Sequence, residues 1–303
     1  MLKKALITGI EGFTGRYLAS ELAAAGYEVH GFTAANESEL PNVIPCDILD
    51  AADTQRAIAA IQPDVVCHLA AIAFVAHGDV DAIYKTNILG TRNLLAALAS
   101  SPIAPSAVAL ASSSNIYGNS TSEVLREDTP PEPANDYAVS KLAMEHMAML
   151  WAARLPLTLV RPFNYTGVGQ SAQFLIPKIV DHFRRKAPVI ELGNLDVVRD
   201  FLDVRTVAYC YRRLVETAPS RGSGCEAFNT CSGVGISLHD VLQMMREISG
   251  HDLEVRVNPA FVRSNEVKTL IGTRAKLESA IGAVQDIPFY ETLEWMYHAP
   301  VVA

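Results

Sequence analysis

Along the first half of the chain, short runs of consecutive apolar residues alternate with longer stretches whose apolar positions return every three or four residues. The runs at 5–8, 27–32, 64–69, 107–111 and 157–161 are short and lack polar alternation, the pattern of strands covered on both faces. Between them, periodic stretches at 12–25, 53–61, 80–100 and 136–154 predict helices, the first stopped at Gly26 and the second near Pro63. Strands and helices in alternation predict an α/β fold, a doubly wound parallel sheet. After Arg161-Pro162 the rhythm loosens: glycines at 167 and 169 and prolines at 188 and 259 predict a smaller, mixed C-terminal lobe that closes over a ligand. The expected division is residues 1–165 for the sheet domain, with a returning segment near 203–235, and 166–202 plus 236–303 for the lobe.

Composition narrows the partners. The chain has 303 residues, half of them hydrophobic, and a formal net charge of −8, enough length for a large core and too acidic for a broad phosphate-polymer footprint. Nucleic acid and an anionic membrane surface are therefore excluded as main partners, whereas a small anionic ligand needs only a few local arginines. No stretch of about 18 apolar residues suggests a membrane span. The apolar start ends at a Thr-Gly turn without a cleavage site, which predicts a cytoplasmic protein. Five cysteines without a CxxC pair and eight histidines without metal-ligand spacing predict neither a disulfide framework nor a metal site.

Three clusters carry chemistry. The turn Gly9-Ile-Glu-Gly12-Phe-Thr-Gly15 follows the first strand and opens the first helix, where glycines let a backbone approach a pyrophosphate seated on the helix N-terminus. The end of the second strand, Gly31-Phe-Thr-Ala-Ala-Asn36, offers neither the acid that takes a ribose hydroxyl nor an arginine for a 2′-phosphate, so NAD(H) and NADP(H) stay equally open. Asp47-Ile48 could hold the adenine edge, or the acid could cap the next helix. Tyr137 and Lys141 stand four apart on the helix after the fifth strand, hence on one face, and Ser113 follows the strand at 107–111. A ketone that receives hydride becomes an alkoxide and needs a proton. A tyrosine whose pKa is lowered by a neighbouring ammonium supplies it, and a serine holds the oxygen.

These segments together, with His68-Leu-Ala-Ala71, Asn87-Ile-Leu-Gly-Thr91, Ser112-Ser-Ser-Asn-Ile-Tyr-Gly118 and Arg161-Pro-Phe-Asn164, resemble the extended short-chain dehydrogenases/reductases that modify nucleotide sugars. The resemblance spans nearly the whole chain and implies a Rossmann sheet with a substrate lobe. It places Gly9, Gly12, Phe13 and Gly15 at the cofactor pyrophosphate, Leu69, Ala70 and Ala71 along the cofactor wall, and Lys141 at the nicotinamide ribose. Asn87 is implied in a water relay beside the cofactor, and Ser114 and Asn164 on the sugar nucleotide.

The turn Ser113-Ser114-Asn115 lacks the acid pair that resembles dehydratase chemistry and the cysteine that resembles the fucose-forming epimerase-reductases. Ketone reduction, or oxidation and re-reduction at carbon 4 with tightly held NAD, remains. Segments of the second half resemble the reductases of GDP-4-keto-6-deoxy-mannose, which make GDP-rhamnose; this implies a GDP-hexose substrate, with Arg199 and Arg263 facing its diphosphate and Glu266 its guanine or ribose end. The alternative for the two arginines is pairing with Asp203 and Glu266. Finally, Ile83, Leu94, Leu95, Leu98, Met144, Met147, Met149, Leu150 and Trp151 give the helices from Val80 and Asp136 more apolar surface than one sheet face needs. A homodimer through a four-helix bundle is the expected outcome.

Overall fold

The computed structural model describes residues 2–73, 79–120, 122–222, 224–261 and 267–300. Strands β1 (Lys4–Thr8), β2 (Glu28–Thr33), β3 (Val43–Pro45), β4 (Val65–His68), β5 (Ala107–Ala111), β6 (Leu157–Pro162), β7 (Asn164–Thr166), β8 (Val189–Leu192), β9 (Val198–Asp203), β10 (Cys225–Thr230), β11 (Gly235–Ser237), β12 (Glu254–Val257) and β13 (Thr269–Leu270) are joined by helices α1 (Phe13–Ala24), α2 (Ala51–Ile61), α3 (Val80–Tyr84), α4 (Thr91–Ala99), α5 (Asp136–Met149), α6 (Leu175–Arg184), α7 (Val204–Arg221), α8 (Leu238–Ser249), α9 (Ala275–Ile281) and α10 (Phe289–His298). Seven strands form one sheet in the order β10-β6-β5-β4-β1-β2-β3, with every neighbouring pair parallel. The order reverses direction beside β1 and β4, the switch point at whose carboxyl ends such sheets bind ligands.

Alternation along each strand divides the core. Ala5 and Ile7 of β1, Val65 and Cys67 of β4, and Ala107 and Ala109 of β5 face α1, α7 and α9. Leu6, Val66, Val108 and Leu110 face α2, α4 and α5 instead. Successive side chains of a strand point to opposite faces, so a continuous apolar run is what a sheet buried on both sides requires.

Two predicted helices differ in the structure. The stretch at 80–100 is helical throughout, as expected, but its middle, Lys85–Gly90, is wound as a π-helix between α3 and α4. Gly90 allows this crowding, since a Cβ there would lie 2.7 Å from Ile48 Cδ1. The helix from Asp136 stops at Met149 rather than Arg154, and its end tightens through a bond from Leu150 N to Met147 O.

The same helices correct the expected apolar surplus. Leu94, Leu95, Leu98 and Met144 are buried against the chain's own sheet, and Ile83 is buried too. The apolar side chains left exposed there are Leu89, Val139, Met149 and Leu150, the last 82 % exposed.

Beyond β6, a small sheet runs β11-β9-β13, with β7 also paired to β9. Its elements, the β8–β12 pair and helices α6, α8 and α10 share a separate apolar core containing Ile179, Phe183, Leu242, Met245 and Leu293. Between these parts of the chain, α7 and β10 return to the large sheet, where Val207, Tyr211, Leu214 and Phe228 complete the core over β1 and β5.

Candidate active site

The glycine turn is shaped by contacts that only glycine permits. Gly9 has φ +73°, and a Cβ on it would stand 2.9 Å from Ala70 N; one on Gly15 would stand 2.3 Å from Gly9 O. Gly12 N donates to Gly9 O at 3.1 Å, closing the turn. Gly12 is also the N-cap of α1, which has no side-chain cap, so side chains leave the first amides of this helix for a ligand. An uncapped helix start behind a glycine turn fits the diphosphate of a dinucleotide. Just beyond the cradle, Phe13 stacks on Tyr165 at 6.0 Å, and Thr14 Oγ1 and the Tyr165 hydroxyl are 2.8 Å apart.

The wall at Leu69–Ala71 is held by a buried polar relay. Ala70 N donates to Thr8 Oγ1 at 3.2 Å, and Thr8 Oγ1 meets His68 Nδ1 at 2.7 Å. His68 Nε2 meets Thr91 Oγ1 at 2.8 Å, whose proton goes to Asn87 O at 2.7 Å. These partners fix the tautomer, with Nδ1 accepting and Nε2 donating. Burial, with the charge of Lys141, pushes the imidazole down to about 3, so it is a neutral spacer. Leu69 N donates to Thr8 O at 3.1 Å, and Ile72 N and O both bond the Asn87 carboxamide, which also donates to Ser140 Oγ at 2.9 Å. Asn87, expected beside the cofactor, braces this wall from its place in the π-helical turn.

Asp47 and Ile48 lie beyond β3. Asp47 Oδ1 accepts from Leu49 N in a local turn, whereas the cap of α2 is Asp50, which accepts from Ala52 N and Asp53 N. The capping alternative for Asp47 is thus corrected by three positions. Ile48 packs over Gly90.

At the carboxyl end of β5, Ser113 caps a 3₁₀ turn, Ser114–Tyr117, by accepting from Asn115 N at 3.1 Å. The turn can leave only through Gly118, at φ +51°, where a Cβ would collide with Glu132 O. The Ser113 hydroxyl lies near enough to the Tyr137 phenol to favour its anion. One helical turn on, Lys141 is 3 % exposed and donates from Nζ to Ala111 O at 2.7 Å. The three residues named from the sequence are therefore brought together by β5 and the first turns of α5.

Electrostatics correct one expectation. Burial, reinforced by the neighbouring Tyr165 hydroxyl, pushes the Tyr137 phenol up, against the Ser113 hydroxyl that favours its anion. The ammonium, 5.9 Å from the Tyr137 ring centre, is held to a carbonyl, and burial brings Lys141 itself down to about 8. The phenol accordingly holds its proton near neutral pH.

Sequence reading missed what lies beneath. Glu145, one turn beyond Lys141, accepts from Ser112 Oγ at 2.5 Å and from Arg161 Nε and Nη2 at 2.9 and 2.7 Å. Arg161 Nη1 donates to the Tyr117 hydroxyl and Glu127 O, and Tyr117 donates to Asn229 Oδ1. This buried network pins the serine turn, and the four-residue step from Lys141 to Glu145 was its visible signal. Tyr165 had none, because its nearness to Tyr137 and Thr14 arises only on folding.

On the lobe side, Ser114 is buried in the 3₁₀ turn. Asn164 opens β7 and reaches Asp200 O at 3.5 Å. Arg199, on β9, donates to Val198 O and to Lys268 O just before β13, while Asp203, its alternative partner, is taken by Arg205 and Thr292. Arg263 and Glu266 lie outside the described residues. Among the described residues, no group of histidine, cysteine and acid side chains could hold a metal.

A parallel sheet ending in an uncapped glycine turn beside a Ser-Tyr-Lys cluster defines a class of nicotinamide-dependent enzyme, and comparison with known proteins agrees. The chain belongs to the NAD dependent epimerase/dehydratase family, whose pattern matches residues 5–230. It is 36% identical to GDP-6-deoxy-D-talose 4-dehydrogenase of Aggregatibacter actinomycetemcomitans, over 92% of this chain and 91% of that protein. It is 32% identical to GDP-6-deoxy-D-mannose reductase of Pseudomonas aeruginosa, over 97% of this chain and 95% of the relative. A solved structure from Burkholderia cenocepacia J2315, provisionally assigned as an epimerase, superposes with TM-score 0.91 at 52% identity, covering 97% of both chains. Solved neighbours hold NADPH (RMD from Pseudomonas aeruginosa, 29% identical, TM-score 0.84, 98% and 97% covered) or NAD (MoeE5, 26% identical, TM-score 0.85, 97% of each). The protein is an NAD(P)-dependent oxidoreductase.

Proposed function

We propose that this enzyme transfers hydride at carbon 4 of a nucleotide-linked 6-deoxy-hexose, reducing GDP-4-keto-6-deoxy-mannose to GDP-rhamnose. The observation that carries the reading is the meeting of Ser113, at the carboxyl edge of β5, with the buried Tyr137 phenol and with Lys141, whose Nζ is fixed on Ala111 O and lies 5.9 Å from the Tyr137 ring centre. The relatives that act on GDP-6-deoxy sugars support the substrate class.

Gly9, Gly12, Gly15 and the open amides of α1 hold the diphosphate of the dinucleotide, and Leu69–Ala71 line its path toward Lys141. The nicotinamide, when bound, supplies or accepts the hydride. Ser113 holds the sugar carbonyl oxygen by its hydroxyl, and Tyr137 gives that oxygen its phenolic proton. A phenol whose pKa burial has raised is neutral and carries its proton at neutral pH, so the donor is loaded before the hydride arrives. In the opposite direction, the Ser113 hydroxyl stabilises the anion that takes a proton from an alcohol. Ser114, Asn164 and Arg199 serve the GDP portion of the substrate; the roles expected there of Arg263 and Glu266 fall outside the described residues.

The greater identity to the talose dehydrogenase favours a second reading, in which the same ketone is the product of oxidising the 4-epimeric alcohol. One assay decides among these. The purified protein is given GDP-4-keto-6-deoxy-mannose with NADH or NADPH, and the product is identified by NMR. Stoichiometric loss of reduced cofactor with rhamno product supports the proposal, and talo product supports the second reading. Interconversion of GDP-rhamnose and its 4-epimeric GDP-6-deoxy-talose without added cofactor would make it a 4-epimerase. Tyr137→Phe should lower kcat by about 100-fold or more while dinucleotide affinity holds; an undiminished rate would remove Tyr137 as proton donor.

The exposed Leu89, Val139, Met149 and Leu150 support a homodimer built on α3 to α5 of two copies in a four-helix arrangement. Light scattering at micromolar concentration should give twice the chain mass, and Leu150→Lys should halve it. All five cysteines are free thiols, which supports a cytoplasmic setting.

A further inference from the structure

The adenosine ribose of a dinucleotide meets a doubly wound sheet at the end of the second strand, and there a carboxylate favours free ribose hydroxyls. In this chain β2 ends at Thr33, and residues 31–36 carry no charge. The structure fills the position from another element. Glu11, inside the glycine turn, stretches across to β2, where its Oε1 accepts from Ser38 Oγ at 2.7 Å and its Oε2 accepts from Thr33 Oγ1. Both hydroxyls are themselves engaged as acceptors, Thr33 by Ala35 N at 3.1 Å and Ser38 by Leu40 N at 3.2 Å. Each thus has its proton to give, and each gives it to Glu11. Arg16, the nearest cation of the turn, donates from Nε to Glu11 O at 3.0 Å and so braces the backbone beneath the carboxylate.

We propose that Glu11, aimed by Thr33 and Ser38, is the residue that sets cofactor choice, selecting NAD(H) by its free 2′-hydroxyl and rejecting the 2′-phosphate of NADP(H). The proposal rests on reading the glycine turn as the dinucleotide cradle. A carboxylate has about four lone-pair sites, so two hydroxyl donors leave it able to accept from a ribose. It can only repel a phosphate brought within hydrogen-bond range. The two serine and threonine bonds matter because they deny the side chain the freedom to swing aside. The same bonds hold the carboxyl below its ordinary pKa, so it stays charged through the working pH range. That solved neighbours hold NADPH in one case and NAD in another shows that the fold leaves this choice to individual side chains.

The test needs no sugar. The purified full-length protein is titrated by calorimetry with NAD⁺, NADP⁺, NADH and NADPH in turn, alongside Glu11→Gln, which keeps the size and loses the charge. NAD(H) should bind at least tenfold tighter than NADP(H), and Glu11→Gln should narrow that ratio at least tenfold, chiefly through tighter NADP(H). Thermal melts of both proteins confirm that the variant folds. If the native protein prefers NADP(H), or if Glu11→Gln leaves the ratio unchanged, Glu11 is only a latch between two loops and the proposal is overturned. Binding of none of the four would overturn the cradle reading and the proposal together. A proper NAD(H) preference with no turnover of GDP-sugars would support Glu11 while removing only the substrate assignment.

Discussion

Lys141 shows how a functional side chain is stored at a cost to stability. Its ammonium is nearly sealed from solvent, and burial lowers its pKa from 10.5 to about 8 against the opposing charge of Glu145. Because the unfolded chain then binds more protons than the folded one between pH 8 and 10.5, this residue makes stability rise with pH across that window. Lys141→Met removes the effect. In paired urea melts, the unfolding free energy of the native protein relative to the variant should therefore grow between pH 7.5 and 10.5, by up to about 3 kcal/mol. A constant difference would show that Lys141 is not desolvated. His68 acts with the same sign over a lower window: burial holds its folded pKa at about 3 while the unfolded imidazole titrates near 6.5, so it makes stability rise between those values and level off above them.

Helix α5 carries Tyr137, Lys141 and Glu145 at four-residue intervals, so one face of one element presents the proton donor, the ammonium and the anchor of the serine turn. The anchor is a buried ion pair, with Glu145 and Arg161 side chains 4 % and 11 % exposed. Breaking such a pair strands a charge, so Glu145→Gln should cost about 3–5 kcal/mol by denaturant titration. Because Ser112 and Tyr117 lose their holders, kcat should fall with it. At the start of α1, Gly15→Ala tests the turn from the other side. A Cβ there meets the backbone at Gly9 O, which cannot yield cheaply, so the variant should lose dinucleotide binding at least tenfold by calorimetry. Unchanged binding would mean that the turn is not the cradle.

For the whole molecule, the connection that matters most is the return of α7 and β10 to the large sheet. Val207, Tyr211, Leu214 and Phe228 lie in one core with Ile7 and Ala109, so the sheet is incomplete until the chain has passed residue 230. A fragment ending at residue 165 should lack cooperative unfolding by calorimetry and should not bind dinucleotide. A sharp transition in that fragment would show that the first six strands suffice. The return also ties the parts together: Tyr17, on α1, donates to Val168 O at 2.7 Å and meets the Trp295 ring edge-on, while Arg205, at the start of α7, lies 3.9 Å over the same indole.

The sequence alone determined the alternation of strand and helix, the glycine turn and the trio Ser113, Tyr137 and Lys141, because each is written in local spacing: short continuous apolar runs against near-four-residue periods, a strand-to-helix turn, one helical step. The π-helical winding at Lys85–Gly90 was not legible, since spacing along the chain does not show that Ile48 fills the space that Gly90 leaves. Nor could spacing show that Leu94, Leu95 and Met144 are consumed by the chain's own sheet, or that burial raises the Tyr137 pKa where a neighbouring ammonium was expected to lower it. Desolvation is a property of everything packed around a group, and only the tertiary structure decides it. The same holds for Glu11, a plain loop residue in the sequence, which 22 and 27 positions of intervening chain separate from the hydroxyls of Thr33 and Ser38 that aim it.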